Sequence, residues 1–489
     1  MSNKYVAAVD IGASSGKMNR FQFDGSKIVF DKEFEIPNKP VNIFERSYWD
    51  ILSIYGEMLN GLRSFSDKKI SSVGIDTFGA SFGFINKQGL LAEPVFHYRD
   101  IRTENSLNEI YQIIGKKELF KQTGCQPNRT YSLPHLYAIA KNKEDILKTA
   151  EYMLFFPDLL NYFLTGDISN DVAFAGTSAL LNNKLDNWNY ELLDTLGIPT
   201  NILPKLVKPR HIKGKINKTA QMDTDLSSET LVITSCSHDT ASAVAAIPGF
   251  DENSVYIGSG TNINMGVEAD FIGLDDNYFE FGLKNTGGLG GKNLIYKDFS
   301  AFWFLNSLLE EWSNKNYSFD KVFQMAASVK NNESFIDLED NLFNDMAWKM
   351  TEKINLFLSK TKQKQIENDE GFIACIFESI ALKVKHTVDV LAKATGRNIQ
   401  KIYIVNGGAR NYYLNQLIAN ATEKTVFAGL TNGSLAGNAL SQLYGMGDLD
   451  NLTQIRDVSA KSFTFKEYAP VIDKKWNGFK EFAQNKNIL

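Results

Sequence analysis

Runs of apolar residues separated by turns of small polar residues open the chain. The five residues Tyr5 to Val9 are apolar in succession, which predicts a buried strand, and the Gly- and Ser-rich residues 10–16 predict a turn that leads into a second strand. The remaining elements predicted for this part are strands at 18–23, 27–36 and 70–75 and a helix near 49–65.

The second half of the chain repeats the strand–turn–strand pattern. Residues 254–257 and 263–267 predict two strands, and the small residues 258–261 predict the turn between them. Further along, the pattern predicts a helix over 372–394 capped by Gly396 and a strand over 401–405 that leads into the turn 406–411. Because one such unit occurs in each half, we predict two similar lobes, residues 1–247 and 248–489, with the border near Ile247–Phe250.

Composition and charge exclude several classes of protein. The 489 residues are 43% hydrophobic and 22% charged, which is enough for packed cores, and the net charge of −5 offers no positive field for nucleic acid or anionic lipid. The three cysteines are far apart and match neither a disulfide framework nor a zinc knuckle. No apolar stretch has the length of a signal peptide or a membrane span, so we expect a cytoplasmic protein.

The first turn has the residues of a phosphate-binding loop. Backbone N–H groups of Gly and Ser between two strands can surround an anion, and Asp10 at the strand end can hold Mg²⁺ through water. A plain hairpin turn is the alternative. Residues 12–17 are one residue short of a P-loop, with Met18 where Ser or Thr binds the metal, and residues 287–291 lack the spacing of a dinucleotide fingerprint.

Asp239 is the candidate general base. It lies in the segment 237–244, which follows a predicted strand at 231–234 and begins a small-residue helix. The alternative is a helix N-cap, since Asp is common there. Next to it, His238 can donate a hydrogen bond to a sugar hydroxyl. Phe78 with Tyr98, Arg99, Asp100, Arg102 and Thr103 can line a polyol pocket, unless that run is an exposed charged loop.

Segments spread over nearly the whole chain resemble the FGGY family of carbohydrate kinases, and within it the enzymes that act on L-rhamnulose. The most specific are the Ser-His-Asp-Thr-Ala-Ser-Ala-Val stretch and the Gly-Ala-Ser-Ser-Gly loop. The matching segments are Val9–Gly16, Gly74–Gly79, Tyr98–Thr103, Pro157–Asp158, Leu164–Gly166, Ser237–Val244, Gly258–Thr261, Met265–Glu268, Gly407–Gly408 with Asn411, Leu414–Leu417, Ala428–Gly429 and Gly437–Asn438.

The resemblance implies a two-lobe, actin-like (ribonuclease H-like) α/β fold with a nucleotide and sugar cleft between the lobes. The implied activity is Mg-ATP-dependent phosphorylation of a ketose at a primary hydroxyl, with L-rhamnulose giving its 1-phosphate, and with Asp239 as proton acceptor. The implied state is a monomer or homodimer. The sugar contacts carried over are Gly79, His238, Asp239, Thr240 and Asp298, and the nucleotide contacts are Ala13, Ser14, Ser15, Gly16, Lys17, Thr261, Asn306, Gly407 and Gly408.

The sequence departs from the family mainly on the sugar side. The family's Trp-Gly-Val-Asp is Phe78-Gly79-Ala80-Ser81 here, which predicts the loss of a carboxylate near the sugar, and Asn262 replaces a Trp. Another ketose, such as L-fuculose or a pentulose, is therefore an alternative substrate. An alternative of another class is a non-catalytic actin-like ATP-binding switch, which would need no base at position 239.

Overall fold

The computed structural model describes residues 3–260, 262–330, 332–344 and 349–472, together with 476, 481 and 483. Its strands are β1 Lys4–Ile11, β2 Ser15–Phe23, β3 Ile28–Pro37, β4 Pro40–Ile43, β5 Arg46–Trp49, β6 Ile70–Thr77, β7 Phe82–Asn86, β8 Val95–Phe96, β9 Ala150–Phe155, β10 Asn170–Asp171, β11 Leu206–Val207, β12 Ile212–Lys215, β13 Leu231–Ile233, β14 Ser254–Ser259, β15 Asn262–Ala269, β16 Lys284–Gly287, β17 Asn293–Ser300, β18 Lys401–Val405, β19 Thr425–Ala428 and β20 Lys466–Tyr468.

The α-helices are α1 Ile51–Phe65, α2 Ser106–Ile114, α3 Lys116–Thr123, α4 Ser132–Lys141, α5 Ile146–Thr149, α6 Phe156–Thr165, α7 Val172–Ala175, α8 Tyr190–Thr195, α9 Lys218–Thr224, α10 Asp239–Ala245, α11 Asp276–Glu280, α12 Phe302–Glu311, α13 Phe319–Ser328, α14 Met350–Lys360, α15 Asp369–Thr395, α16 Tyr412–Thr422, α17 Gly433–Gly445 and α18 Leu452–Ser462. Short 3₁₀ turns lie at Ile101–Thr103, Leu289–Gly291, Ser313–Lys315, Asn341–Asn344 and Gly407–Arg410. Within the described residues, no helix is both long and apolar enough to cross a bilayer.

The chain forms two compact units. The first is Met1–Gly249 with Glu268–Ile295 and Asn432–Phe463, and the second is Phe250–Val267, Tyr296–Thr431 and Thr464–Leu489. The units therefore differ from the predicted division at residues 247 and 248, because two later segments return to the first unit. The reason lies in α17, whose side chains bond to β1 and β6 of the first unit.

The first unit is built on a six-stranded sheet in the order β12-β13-β6-β1-β2-β3. Strand β1 pairs antiparallel with β2 and parallel with β6, so the first predicted turn is a hairpin turn between β1 and β2. β1 lies in the interior of the sheet, which explains its continuous apolar run. Ala7, Val9 and Ile11 belong to the core cluster that also contains the buried faces of α1 and α6.

The second unit repeats this arrangement. Strand β14 pairs antiparallel with β15 and parallel with β18, and β18 pairs parallel with β19. The repeat predicted from the sequence is therefore present in the structure. The helix predicted over 372–394 is α15, which extends to both sides of that range and ends at Gly396 in the left-handed region with φ 68°.

Candidate active site

Two carboxylates lie side by side on the central strands of the first unit. Asp10 near the end of β1 is in register with Asp76 of β6 and with Lys17 of β2, and paired residues in neighbouring strands point to the same face of the sheet. Ala7, Val9 and Ile11 occupy the opposite face. The alternation of the strand thus directs Asp10 and Asp76 away from the α1 and α6 core.

Helix α17 covers this polar face with a stripe of buried side chains four residues apart. The Ser434 hydroxyl donates to Asp10 Oδ2, and Gln442 Nε2 donates to the carbonyl of Ala7 at 3.0 Å. Asn438, between them in the stripe, accepts a hydrogen bond from Gln442 Nε2 at 2.7 Å and lowers the pKa of Asp76. The site residues predicted from the sequence did not include these helix residues, although the small and polar residues of 433–445 are a signal of a closely packed helix.

Burial makes both carboxyls hard to ionise. The pKa of Asp10 is raised to about 8, chiefly by burial and secondly by the charge of Asp239. Burial also raises the pKa of Asp76 to about 7, although hydroxyl and amide donors of Ser235, Ser242 and Asn438 oppose the shift. Asp10 Oδ1 is a buried oxygen without a hydrogen-bond partner, so it keeps the capacity to accept one more hydrogen bond.

The predicted first phosphate loop is the exposed turn between β1 and β2. Gly12 N–H donates to the carbonyl of Ser15 at 3.0 Å and thereby closes the turn, while Ala13, Ser14 and Ser15 are exposed. Gly16 is buried, and Lys17 is half-buried with its Nζ 4.0 Å from Glu33. The turn therefore presents small residues to solvent, as a phosphate loop requires.

The segment with the candidate base lies between β13 and α10. His238 is the N-cap residue of α10, without a capping hydrogen bond from its side chain, and Asp239 is the first helical residue. The N-cap interpretation of Asp239 is therefore wrong. Asp239 Oδ1 accepts hydrogen bonds from the N–H and the hydroxyl of Thr240, and the Asp239 side chain is 35% exposed. It is an accessible carboxylate fixed on one side.

The predicted sugar contacts of the first unit lie together. His238 Nε2 lies 3.6 Å from Asp239 Oδ1, and the His238 side chain is 14% exposed. A Cβ at Gly79 would lie 3.6 Å from His238 Nε2 and 3.3 Å from the hydroxyl of Thr177. Gly79 thus keeps space open beside the histidine. Thr177 was not predicted, because nothing in its local sequence distinguishes it from other loop threonines.

The predicted polyol wall is mostly interior. Phe78 is buried and stacks on Trp49, with 4.4 Å between ring centroids, and the Trp49 indole N–H donates to Ser81 Oγ at 3.0 Å. The Ser81 hydroxyl, at the position where the resemblance predicted a missing carboxylate, is therefore already bonded within the protein. Asp100 is also buried, where it accepts from the N–H of Ser47 at 2.8 Å.

The rest of that run has structural contacts as well. The Arg102 side chain is 3% exposed and lies over the ring of Phe96, 3.3 Å from its centroid. Thr103 is buried, and only Tyr98 and Arg99 keep appreciable exposure. Both interpretations of the run, a polyol wall and a charged surface loop, fail for Asp100 and Arg102, because Asp100 fixes the β4–β5 hairpin and Arg102 fills the interior.

In the second unit, the predicted Gly-Gly turn packs against the end of β14. A Cβ at Gly408 would lie 2.0 Å from Ser259 Oγ, so only glycine fits there. Gly407 is exposed at the start of the turn. Gly260 N–H donates to the carbonyl of Asn262 at 3.0 Å. The parallel pairing of β14 with β18 thus brings the second loop and the Gly-Gly turn together, while Thr261 lies outside the described residues.

Two further predicted contacts are on other elements of the second unit. Asn306 is exposed on α12, and Asp298 is half-buried near the end of β17. Asn406, before the Gly-Gly turn, has φ 65° and ψ −156°, a region that glycine occupies far more readily than other residues. The contacts of Asp298 with sugar and of Asn306 with nucleotide stay predictions.

Comparison with known proteins connects these sites to one family. The sequence model of the FGGY family of carbohydrate kinases matches with its N-terminal domain at residues 5–246 and with its C-terminal domain at residues 259–446. A rhamnulokinase of Oceanobacillus iheyensis is 30% identical over 469 residues, 95% of this chain and 98% of that protein. A rhamnulokinase of Bacteroides thetaiotaomicron is 30% identical over 472 residues, 96% of each chain.

Solved structures agree on the fold. A xylulose kinase of Lactobacillus acidophilus has a TM-score of 0.80 at 14% identity, covering 99% of this chain and 98% of that one. A Plasmodium falciparum glycerol kinase with ADP has a TM-score of 0.81 at 15% identity, covering 99% and 97%. The predicted fold class is therefore confirmed as the two-domain α/β fold of actin-like ATPases.

Proposed function

The chain belongs to the FGGY family of carbohydrate kinases, and we propose that it transfers the γ-phosphoryl group of ATP to the primary hydroxyl of a ketose. The proposed substrate is L-rhamnulose and the product L-rhamnulose 1-phosphate, as part of rhamnose catabolism. The observation that supports this sugar is the 30% identity to rhamnulokinases over nearly the full length of both chains.

Asp239 is the proposed general base. Its Oδ1 is occupied by two hydrogen bonds from Thr240, which leaves Oδ2 to accept the proton of the sugar hydroxyl. The sugar oxygen attacks the γ-phosphorus, the bond from that phosphorus to the bridging oxygen of ADP breaks, and the proton passes to Asp239. In a loose transition state the hydroxyl loses its proton late, so a positioned carboxylate suffices as base.

The sugar contacts proposed in the first unit are Gly79, His238 and Thr240, and we add Thr177 from its position beside Gly79. The open space above Gly79 lets a hydroxyl-bearing carbon approach His238. A primary hydroxyl extends furthest from the carbon chain, and it is therefore the group best able to reach Asp239. The proposed Asp298 contact remains to be tested by substitution.

Nucleotide contacts are proposed in both units. In the first unit, the exposed turn of Ala13, Ser14 and Ser15, with Gly16 and Lys17, would bind phosphate through backbone N–H groups and the lysine charge. In the second unit, Thr261, Asn306, Gly407 and Gly408 are the proposed contacts. The close packing of Gly408 on Ser259 supports this assignment, because it leaves no space for a side chain at that position of the turn.

The residues around Asp10 fit a magnesium ion held through water. Asp10 Oδ1 is a buried oxygen with no hydrogen-bond partner, which is what a metal-bound water would satisfy. Among the described residues no group of three or more His, Cys, Asp or Glu side chains could hold a metal. A single carboxylate with substrate phosphates is the usual protein share of a Mg²⁺ site. Magnesium supplies charge neutralisation on the phosphates when bound.

The test is a panel of ketoses assayed for ADP release, with L-rhamnulose, L-fuculose and pentuloses compared by kcat/KM. The second arm is Asp239→Asn, which keeps the shape and loses the proton acceptor, and should lower kcat by about 10²–10⁴. Asp223→Asn, an exposed carboxylate of the same unit, is the matched control and should leave kcat unchanged.

Each outcome has a defined meaning. Preference for L-fuculose or a pentulose would correct the substrate and keep the kinase. ATP turnover that no sugar raises would favour the non-catalytic switch. Full activity in Asp239→Asn would reject the assignment of the base, whatever the sugar.

A further inference from the structure

The backbone just before the candidate base makes a γ-turn. His238 N–H donates to the carbonyl of Cys236 at 2.6 Å, and Ser237 at the centre of this three-residue turn has φ 52°. A γ-turn with positive φ is rare and strained, and a residue with a Cβ carries more of that strain than glycine does. Such a backbone persists only where its surroundings hold it.

Both backbone groups of Ser237 are held from outside the turn. The Ser237 carbonyl accepts a hydrogen bond from Thr77 N–H at 3.0 Å, at the end of β6. Ser237 N–H donates to Ser235 Oγ at 3.1 Å, and the Ser235 hydroxyl donates in turn to Asp76. The turn is therefore tied to the same strand that carries Asp76.

The Ser237 side chain faces a buried carboxyl. Ser237 Oγ and Asp171 Oδ2 are both buried, and neither has a hydrogen-bond partner of normal geometry. The Ser237 hydroxyl is nevertheless close enough to lower the pKa of Asp171, which burial raises to about 8 overall. Asp171 itself is fixed, because its N–H donates to Asp158 Oδ2 and its Oδ1 accepts from Ala173 N–H, both at 3.0 Å.

We propose that Ser237 and Asp171 are positioning residues that hold the strained γ-turn and thereby aim His238 and Asp239 at the sugar hydroxyl. The proposal deepens the proposed kinase function and rests on it. If the turn relaxes, the base moves while the fold survives. A misplacement of about 1 Å at a reacting group can cost about 10² in rate.

The decisive variant is Ser237→Gly. Glycine adopts φ 52° without strain and removes the hydroxyl that meets Asp171, so we expect an unchanged or higher melting temperature together with a kcat lowered about 10- to 100-fold. The KM for ATP should stay unchanged, because the variant leaves the nucleotide contacts in place. Asp171→Asn keeps an oxygen acceptor for the hydroxyl and should retain kcat within about threefold.

Asp225→Gly is the matched control. Asp225 is an exposed residue with φ 57° that ends α9 in the same unit, so glycine relieves the same kind of strain there and should leave kcat unchanged. A lowered kcat with an unchanged or higher melting temperature, seen in Ser237→Gly and not in Asp225→Gly, would support the positioning role. Full kcat in Ser237→Gly, or a kcat loss that follows a loss of melting temperature, would overturn it.

A second readout is independent of the sugar. The chain has five histidines, so ¹⁵N-histidine labelling gives a spectrum simple enough to assign. The ring signals of His238 should shift or broaden in Ser237→Gly and not in Asp225→Gly. If no ketose on the panel is phosphorylated, the proposed function fails, yet the His238 signals still decide this inference, and unchanged signals overturn it.

Discussion

Replacing Lys213 with methionine tests the buried ion pair that supports Asp171. Lys213 lies on β12, and its side chain and that of Asp158 are both fully buried, with Nζ 2.9 Å from Asp158 Oδ1. The ammonium also donates to the carbonyl and the hydroxyl of Ser169 at 2.9 and 2.8 Å. Methionine has similar length and no charge, so the variant removes the partner of Asp158 with little change of volume.

The size of the effect follows from burial. Removing one member of a buried pair leaves an uncompensated charge, which costs about 3–5 kcal/mol. Burial already raises the pKa of Asp158, and Lys213 is the main influence that lowers it, so the variant raises this pKa further. We therefore expect the free energy of unfolding to fall by about 4 kcal/mol at pH 7.5.

Protonation of Asp158 limits the loss and gives it a pH dependence. The folded variant binds a proton at Asp158 more tightly than the unfolded chain, whose carboxyl has a pKa of 3.8. Between 3.8 and the raised folded value, stability therefore falls as the pH rises. Because the pKa of Asp158 is also raised in the wild type, the deficit relative to wild type should shrink by up to about 1.4 kcal/mol for each pH unit lowered only between the wild-type and the variant pKa of Asp158.

Urea unfolding followed by tryptophan fluorescence at pH 5.5 and 7.5 measures both effects. Lys215→Met is the matched control, since Lys215 lies two residues along the same strand in an exposed pair with Glu229 and should leave the midpoint unchanged. If Lys213→Met does not fold, the additional substitution Asp158→Asn should restore folding, because it removes the unpaired buried charge. An equal, small effect of both lysine variants, or a deficit that grows at low pH, would refute the reasoning.

Two further outcomes are expected. Gly260→Val should fold normally, because the nearest atom to a Cβ there is 3.9 Å away. The variant should weaken ATP binding at least about tenfold in calorimetry, because the valine side chain blocks the approach of a phosphate, and wild-type affinity would exclude the second loop. Burial raises the pKa of Glu93 from 4.5 to about 7, so its contribution to stability falls as the pH rises through that interval. Glu93→Gln should therefore flatten the profile of melting temperature against pH there, and identical slopes would contradict the assignment.

The strands and turns near both phosphate loops were predictable because their signals are local. Five apolar residues before Asp10 are sufficient to predict a buried strand, and glycines with serines are sufficient to predict the turn after it. The neighbour of Asp10 was not predictable in the same way. Its register with Asp76 depends on parallel pairing of strands 66 residues apart, and no local period encodes such a pairing.

The contribution of α17 illustrates the same limit at greater distance. Ser434 reaches Asp10 across 424 residues of sequence, and Gln442 reaches the backbone of β1 across 435. The sequence of α17 shows only that its residues are small and that polar residues recur at intervals of four. Gly437 explains the pattern, because a Cβ there would lie 1.7 Å from the carbonyl oxygen of Ser242 on α10. Helices this close can place short polar side chains directly on the sheet.

The error over Asp100 and Arg102 has a different cause. Charged residues near a predicted sugar site were assigned to the ligand, since charges are mostly exposed. In the structure Asp100 accepts hydrogen bonds from Ser47 and Arg102 N–H groups and lies 3.1 Å from Arg46, so its charge is satisfied within the protein. A charged run therefore identifies a site only when some of its members remain without partners.

That criterion favours the cluster of Asp10, Asp76 and Asp239. The charge of Asp239 raises the pKa values of both other carboxyls, and burial raises them more, so the cluster opposes folding at neutral pH. The hydroxyls of Ser434 and Ser235 offset only part of this cost, since Asp10 Oδ1 and Asp76 Oδ2 keep no partner. Substitution of Asp10 or Asp76 by a neutral residue would remove part of the repulsion. A fold that nevertheless keeps two carboxyls near the ends of its central strands and a third at the start of α10 places them where chemistry, rather than stability, accounts for their presence.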